Sequence, residues 1–276
     1  LITQYHNAQI ALKSLEEVMA KPVERPDGAQ FVSRDLFKGE IEFKNVSFSY
    51  PGGQMESLSD VSFKIRPGEH VAVLGRVGSG KSTLLKLAIG LFQPTSGAVL
   101  IDGIDLRQLD PSDVRSQVGY VPQDVTLFYG SLRDNLTLSH PQASDAAIVR
   151  SIDIANLAEF VNRHPQGFDM MIGERGDSLS GGQRKSVALA RGVIGEPSLL
   201  LMDEPTGSMD HSTEGAVQKQ LVEFIKGRTW LVVTHRNTLL EIVDRIIVID
   251  NGKLVADGPR ESVVEALQQG RIGKSK

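Results

Sequence analysis

A glycine-rich stretch carrying one lysine and one serine could bind phosphate. Residues 75–82 fit the spacing G-x-x-x-x-G-K-[ST], with an apolar run before them and the helical pattern of residues 82–92 after them. Glycines let backbone N–H groups turn toward phosphate oxygens, Lys81 adds a positive charge, and the Ser82 hydroxyl can reach Mg²⁺. A chance glycine turn is the alternative. The pattern predicts a phosphate cradle built from Gly75, Arg76, Val77, Gly78, Ser79, Gly80, Lys81, Ser82 and Thr83.

Two adjacent carboxylates follow a second apolar run. Residues 198–202 read as a short buried strand that ends at Asp203-Glu204-Pro205. On its own such a pair is most often an exposed strand end, but a phosphate cradle upstream changes its meaning. Phosphoryl transfer requires positioned charge and an oriented nucleophile. We therefore expect Asp203 to hold Mg²⁺ and Glu204 to polarise an attacking water.

A third motif lies at the start of a helical pattern. Leu179, Ser180, Gly181, Gly182 and Gln183 would place backbone N–H groups and a hydroxyl at a helix N-terminus, where anions bind. A flexible turn is the alternative. Together with the cradle, this motif resembles the signature of the ATP-binding cassette (ABC) family. In that family ATP is closed between the cradle of one copy and the signature of another, so the resemblance implies a homodimer around two ATP molecules with Mg²⁺.

The resemblance assigns roles to further positions. Tyr50 matches the aromatic residue that stacks on adenine, with a strand-end core residue as the alternative. Gln123 matches the glutamine that senses Mg²⁺ and contacts the transport partner, and His235 matches the histidine placed against the γ-phosphate. Ser208 and Asp210 belong to a loop that crosses the dimer interface. The implied catalytic residues are Glu204, His235 and Gln123, and the implied metal-binding residues are Ser82, Gln123 and Asp203.

Composition bounds the class of protein. The chain has 276 residues, 40% of them hydrophobic, which is ample for a core. A net charge of −4 and 5% aromatic residues make nucleic acid an unexpected partner. Zero cysteines agree with a cytosolic setting. No apolar run approaches the roughly 20 residues of a membrane helix, so we expect a soluble chain. Its start at Leu1, without a methionine, indicates a piece of a longer polypeptide.

The chain order predicts an α/β fold with three parts. Residues 40–66 alternate apolar and polar like antiparallel strands, and from residue 70 strands and helices alternate as in a doubly wound core. Residues 131–178 read as a mostly helical insertion, with one helical pattern over 146–161. We predict a hairpin turn at residues 251–252 and a closing helix over 261–269. The implied fold is a P-loop NTPase (RecA-like) parallel-sheet core with an N-terminal antiparallel β subdomain and an inserted α-helical subdomain.

A helical stripe opens the chain. Leu1, Tyr5, Leu12, Leu15 and Met19 share one face before the prolines at 22 and 26. We interpret it as the cytosolic end of a membrane helix, with an ordinary amphipathic helix as the alternative. The domain prediction is a linker helix and connector from a transmembrane domain over 1–38, an ABC ATPase domain over 39–270 with its helical subdomain at about 131–190, and a tail over 271–276.

Four segments resemble exporters within the family. Glu174-Arg175-Gly176 is similar to an exporter segment that touches the coupling helices of the membrane domain. Residues 75–78, 123–130 and 244–252 are similar to the ATPase domain of bacterial type I secretion exporters, which secrete large adhesins and RTX proteins. The resemblance implies a place at the cytoplasmic face of the inner membrane. It also implies the chain's own transmembrane domain, a periplasmic adaptor, an outer-membrane channel and a secreted protein substrate as partners.

The functional prediction is the ATP-hydrolysing domain of a homodimeric exporter, for type I secretion. An exporter of lipid or drug shares all the ATPase chemistry and stays an alternative. A soluble ABC protein acting on DNA or ribosomes is disfavoured by the acidic charge. A regulatory module that binds ATP without hydrolysing it is disfavoured by the presence of both Glu204 and His235.

Overall fold

A computed structural model describes residues 2–21, 23–26, 28–53 and 55–271. Contacts divide the chain into two compact units, one up to Val32 and one from Ser33. The first unit contains helix α1, Ile2–Met19, as the stripe predicts, and the residues of this helix are all exposed. Leu1 and Pro22, which belonged to that prediction, lie outside the described residues. Within the described ranges, no helix combines the length and the apolar character needed to cross a bilayer.

Strands and helices of the second unit follow in regular order. The strands are β1 Ile41–Phe48, β2 Leu58–Ile65, β3 His70–Leu74, β4 Ser96–Ile101, β5 Ile104–Asp105, β6 Val118–Val121, β7 Gly130–Ser131, β8 Met171–Ile172, β9 Leu199–Asp203, β10 Thr229–Val233, β11 Arg245–Asp250 and β12 Lys253–Pro259. The helices are α2 Lys81–Ala88, α3 Pro111–Gln117, α4 Leu132–Thr137, α5 Asp145–Ile154, α6 Ala158–Arg163, α7 Gly181–Val193, α8 His211–Phe224, α9 Asn237–Leu240 and α10 Arg260–Gln268.

A six-stranded sheet in the order β12-β11-β3-β10-β9-β6 lies at the centre of this unit. Its neighbours pair in parallel except β11 and β12, which form an antiparallel hairpin. The hairpin turn is at Asn251 and Gly252, both with positive φ (47° and 74°), as predicted. The parallel order confirms the expectation of a doubly wound α/β core.

Strands β3, β9, β10 and β11 of the central sheet are buried on both faces, which explains their continuous apolar sequences. Along β9, Leu199 and Leu201 join one hydrophobic cluster while Leu200 and Met202 join the other. Two hydrophobic cores therefore pack against the sheet, one on each face. The strand ends that emerge between them are fixed in position on both faces.

A four-stranded antiparallel sheet, β2-β1-β4-β5, packs beside this core. Strands β1 and β2 match the prediction for residues 40–66, but β4 and β5 were not predicted to join them. Strand β4 begins with exposed Ser96 and Gly97, which carry no apolar signal, and only its later residues enter the core. Strands β4 and β5 thus lie after residue 70 in the chain but belong to the antiparallel sheet.

Residues 131–193 are mostly helical, as expected for the insertion, with α4 to α7 as its body. The helical pattern over 146–161 corresponds to two helices, α5 and α6. Asn156 separates them with a φ of 53°, a left-handed conformation that ends a helix and that asparagine tolerates. The two-residue strands β7 and β8 also pair here, too short to give a sequence pattern.

Candidate active site

Four loops meet at the carboxyl edge of the parallel sheet. The adjacent strands β3, β10, β9 and β6 lead into the glycine-rich loop, His235, Glu204 and Gln123 respectively. Register aligns the ends, since Val233 is level with both Val73 and Asp203. Ligands of open α/β sheets bind at this edge. A cavity of about 630 Å³ opens there, and the predicted residues that line it are Tyr50, Val77, Gly78, Ser79, Gly80, Lys81, Ser82, Thr83, Gln123, Asp203, Glu204, Ser208 and His235.

The glycine-rich loop is built so that only glycine fits at two of its positions. A Cβ on Gly75 would lie 2.0 Å from the Ile249 carbonyl oxygen, and one on Gly80 would lie 2.4 Å from that of Ser57. Gly80 is also the N-cap of α2, with a φ of 102°. Because glycine has no side chain to cap the helix, the first N–H groups of α2 are available to an anion. The loop therefore has the form of a phosphate cradle.

Lys81 is anchored at the mouth of this cradle. Its Nζ donates to the carbonyl oxygens of Gly75 (2.9 Å) and Arg76 (2.7 Å). Burial lowers the pKa of Lys81, and the charges of Asp203 and Glu204 act in the opposite direction. Gly75 and Arg76 thus hold the Lys81 ammonium group at the cradle through their carbonyl oxygens.

Asp203 and Ser82 offer oxygen atoms suited to a divalent cation. Asp203 is 1% exposed, and its Oδ1 has no hydrogen-bond partner among the described residues. Burial raises the pKa of Asp203, while a hydrogen bond from Ser82 opposes that shift. Mg²⁺ prefers such hard oxygen ligands and usually retains substrate phosphates as others. The donor set fits Mg²⁺, with Ser82, Asp203 and Gln123 as the residues that would hold it.

Glu204 is held in a strained conformation by its neighbours. Its φ is 47°, which is rare outside glycine and costs about 1–3 kcal/mol where the surroundings impose it. The backbone N–H of Glu204 donates to the Val233 carbonyl at 2.8 Å. Its Oε1 lies 2.7 Å from His235 Nδ1, and its Oε2 is buried with no partner in the described part of the chain. His235 therefore fixes one carboxylate oxygen of Glu204, and proton transfer from a water to this carboxylate stays a prediction.

Tyr50 also lines the cavity, and its ring belongs to an aromatic group. Its ring meets Phe48 and Phe92 edge-on at centroid distances of 4.9 and 5.2 Å. Its hydroxyl lies 3.1 Å from the Thr83 hydroxyl, on α2. The ring is only partly buried, so one surface still borders the cavity. Adenine stacking stays a prediction, now beside a hydrogen bond that sequence alone did not indicate.

The sequence analysis missed Lys185, which lines the same cavity. It is only 7% exposed, and its Nζ donates to the carbonyl oxygens of Pro122 (3.2 Å) and, at closer range, Gln123. Burial lowers the pKa of Lys185, and Asp203 is the foremost of the charges that oppose this shift. Lys185 lies on the buried face of the helical pattern that follows Gln183. A lysine on that face was the signal from which the sequence analysis could have singled it out.

The sequence analysis also missed an ion pair beside His235, formed by Arg236 and Glu214. Arg236 Nη2 donates to the Gly207 carbonyl at 3.0 Å, and its Nη1 lies 3.3 Å from Glu214 Oε2. Glu214 is 1% exposed and also accepts from Thr238. Breaking a buried ion pair of this kind leaves an uncompensated charge. The ion pair ties the loop after β10 to α8, and the bond to Gly207 ties it to the loop after β9. These two loops carry His235 and Glu204.

The signature residues lie in a different place. Ser180, Gly182 and Gln183 line a second cavity of about 360 Å³ together with Met209 and Asp210. Ser180 Oγ accepts from the Gln183 N–H (3.2 Å), and Gln183 Oε1 accepts from the Ser180 N–H (2.8 Å), which is a capping box at the start of α7. Leu179 is buried below them, and Gly181 packs beside the Ser208 side chain.

The loop at 207–210 runs between the two cavities. Gly207 and Ser208 line the first, whereas Met209 and Asp210 line the second. Asp210 caps α8, because its Oδ1 accepts from the Ser212 and Thr213 N–H groups (2.9 and 3.0 Å). These bonds lower the pKa of Asp210. A role of Ser208 and Asp210 at a dimer interface stays a prediction.

A strand, a glycine-rich loop and a helix, with a buried carboxylate at the end of a neighbouring strand, define a P-loop nucleotide-hydrolysing protein. A family model described as "ABC transporter" matches residues 58–207, more than half of the 276 residues. The chain belongs to the ABC transporter family, as its motifs predict, and carries that family's ATPase domain.

Similar proteins agree with this assignment. An uncharacterized ABC transporter ATP-binding protein of Bacillus subtilis is 38% identical over 266 residues, which are 96% of this chain and 46% of the relative. A cyclolysin secretion/processing ATP-binding protein of Bordetella pertussis is 39% identical over 245 residues, 86% of this chain and 34% of the relative. A leukotoxin translocation ATP-binding protein of Mannheimia haemolytica is 35% identical over 261 residues, 95% of this chain and 37% of the relative.

The fold matches a solved exporter. The structure of a bacterial Atm1-family ABC exporter with ATP bound aligns with a TM-score of 0.87 and 29% identity, over 98% of this chain and 48% of that one. The predicted P-loop NTPase fold is confirmed by this likeness. The chain spans about a third to a half of the length of the proteins it matches.

Proposed function

We propose that this domain binds ATP with Mg²⁺, works as a homodimer that closes around two ATP molecules, and powers a type I secretion exporter of a large RTX-like protein. The observation that carries the proposal is the cavity shared by Lys81, Asp203 and Glu204 at one sheet edge. Mg²⁺, when bound, would neutralise phosphate charge. In the protein, Lys81 binds phosphate, Glu204 accepts the proton of the attacking water, and His235 orients Glu204.

The proposed cargo class rests on the relatives. The Bordetella and Mannheimia proteins are named for secretion of cyclolysin and translocation of leukotoxin, and each matches most of this chain. On this reading the whole protein carries its own transmembrane domain and acts at the cytoplasmic face of the inner membrane. A periplasmic adaptor, an outer-membrane channel and the secreted protein complete its set of partners.

The exposed segment around Arg175 supports contact with a membrane domain. Arg175 has a φ of 57°, and Gly176 beside it is buried against Leu127. The neighbouring aromatic residues Phe128 and Tyr129 are 53% and 74% exposed. A charged turn beside exposed aromatic side chains fits a protein interface better than a solvent-facing loop. Residues 128–129 and 174–176 would be the surface of this contact.

The function is tested in the organism that encodes the full-length protein. Proteins in the medium are compared by mass spectrometry between the parent strain and a strain carrying Glu204→Gln in the chromosomal gene. Loss of one large repeat-containing protein from the medium, with its retention in cells, is the expected result. An unchanged secreted set with an altered lipid or drug efflux would contradict type I secretion and favour the alternative exporter.

Lys81→Ala is expected to weaken ATP binding itself. The ammonium group that stabilises phosphate charge acts in the ground state as well as in the transition state, so its loss raises the dissociation constant. Since a hydrogen bond to a charged group contributes about 1.5–3 kcal/mol, we expect a rise of roughly 10–100-fold. Calorimetry with ATP measures it. Unchanged affinity in a folded variant would refute the assignment of the cradle.

Tyr50→Ala is expected to raise the dissociation constant for ATP, whereas Tyr50→Phe is expected to leave it nearly unchanged. Stacking uses the ring face, which phenylalanine retains, and is worth about 0.5–1.5 kcal/mol, or a few-fold in affinity. Because the hydroxyl contacts Thr83 on α2, the thermal stability of both variants is measured as well. Equal losses of affinity in the two variants would assign Tyr50 a structural role through its hydroxyl.

A further inference from the structure

The ammonium group of Lys185 bonds to two consecutive backbone carbonyls. Its acceptors are the oxygens of Pro122 and Gln123, which belong to the peptide planes before and after the Cα of Gln123. Each peptide unit is planar, so the orientation of those two planes sets φ and ψ of Gln123. These angles in turn set the direction of its side chain. One buried cation therefore fixes how Gln123 enters the cavity.

The surroundings of Lys185 favour this use over simple packing. The residue lies on α7, five positions after Ser180, and is almost completely buried. An ammonium group loses solvation when buried and needs hydrogen-bond acceptors in return. The loop after β6 supplies them, and the carboxylates of Asp203 and Glu204 line the same cavity. A methionine would fill this space without the desolvation cost, but it would leave both carbonyls unbonded.

Helix α7 holds the same loop at a second point. Arg191 Nη1 donates to the Thr126 carbonyl at 3.2 Å, and its Nε donates to that of Asn135 at 2.8 Å. Lys185 and Arg191 are nearly two helical turns apart, so the loop lies along the helix. Of these two residues, Lys185 is the one that bonds to the peptide planes flanking Gln123. Arg191 therefore fixes the path of the loop, and Lys185 fixes the backbone at Gln123.

We propose that Lys185 is a positioning residue for ATP hydrolysis, which orients Gln123 by bonding the two peptide planes beside it. The proposal rests on the proposed function, because it assumes that Gln123 acts in the ATPase site. The geometric part of the proposal is that Lys185 immobilises Gln123, and this part does not depend on ATP hydrolysis. That part is tested separately.

The first experiment measures the mobility of the loop without nucleotide. The chain contains no cysteine, so Asp124→Cys introduces a single attachment site for a nitroxide, next to Gln123. Spectra are compared among the labelled chain with Lys185, the same chain with Lys185→Met, and the same chain with Lys185→Arg. We expect the immobilised component to fall by about half or more with methionine and to return with arginine, which keeps charge and donors. Lys219→Met, on the exposed face of α8, is the matched control and should leave the spectrum unchanged.

The second experiment measures hydrolysis in unlabelled proteins. Lys185→Met should lower kcat roughly 10–100-fold, the effect of a small displacement of a catalytic group, while KM for ATP changes by less than about threefold. Lys185→Arg should recover most of kcat, and Lys219→Met should match the parent. If Lys185→Met does not fold, Lys185→Gln replaces it in both experiments, because its amide is too short to reach both carbonyls.

The outcomes separate the two proposals. Unchanged loop mobility in the methionine variant overturns the inference, and so does increased mobility with an unchanged kcat. A parent protein that binds ATP but does not hydrolyse it contradicts the proposed function. The nitroxide spectra still decide in that case whether Lys185 immobilises Gln123.

Discussion

Glu204→Gln is expected to keep ATP binding and to lower the turnover rate by roughly 10²–10⁴-fold, the usual contribution of a positioned general base. The amide oxygen of glutamine can still accept from His235, so the loop keeps its geometry, but the amide cannot take a proton from water. Phosphate contacts by Lys81 and the cradle are unaffected. ATP should therefore remain bound, and the closed dimer should accumulate.

Single-turnover hydrolysis and size-exclusion chromatography with ATP measure the two effects. Glu261→Gln is the matched control, since that carboxylate is 90% exposed on α10 and should leave both measurements unchanged. A Glu204→Gln protein that turns over like the parent would show that another group activates the water. Glutamine has the same backbone strain at this position as glutamate. The variant should therefore keep the thermal stability of the parent, which is a further check.

The sequence was sufficient to place the site at one sheet edge. The glycine-rich loop and the Asp203-Glu204 pair each follow an apolar run of strand length, and the carboxyl ends of parallel strands meet at one edge of the sheet. Gly75 and Gly80 are cases where the physics is local, because a loop that passes this close to the backbone of Ile249 and Ser57 excludes any side chain. The spacing and the types of the residues were therefore enough to predict the cradle, Asp203 and Glu204.

Contacts between distant segments could not be predicted in the same way. The bond of His235 to Glu204 and the bonds of Lys185 to the loop after β6 depend on strand order, which the linear pattern does not contain. The break between α5 and α6 depends on a single left-handed residue, Asn156, inside a continuous apolar pattern. A pattern of hydrophobic residues records burial, but it does not record where the backbone turns.

The capping role of Ser180 had a signal in the sequence that was overlooked, because Ser180 and Gln183 have the S-x-x-Q spacing of a capping box. The hydroxyl that the family resemblance directs at the γ-phosphate of another copy accepts a hydrogen bond from its own helix in this structure. The two roles are compatible, because a hydroxyl has two acceptor lone pairs and one donor proton. Substitution of Ser180 therefore has two consequences, a lost cap and a lost phosphate contact. An experiment on the shared site must separate them.

The shared site predicts complementation between two inactive chains. Ser180→Arg should block the signature, and Lys81→Ala should disable the cradle, so each chain alone is expected to be nearly inactive. If every site combines the cradle of one copy with the signature of another, a mixed dimer has one site with both defects and one with neither. Random mixing in equal amounts makes half of all dimers mixed, so about a quarter of the parent rate should return when the two sites act independently.

Complementation also controls for the lost cap. Replacing an N-cap serine costs about 0.5–2 kcal/mol, and an unfolded Ser180→Arg chain would be inactive for that reason alone. Such a chain could not supply the intact cradle that the mixed dimer needs, so recovered activity shows that it is folded. The ATPase rate per chain should also rise with protein concentration, since mass action sets the dimer population. Normal turnover by Ser180→Arg alone would refute the shared site, and so would heterodimers that form but never exceed the summed rates of the two chains.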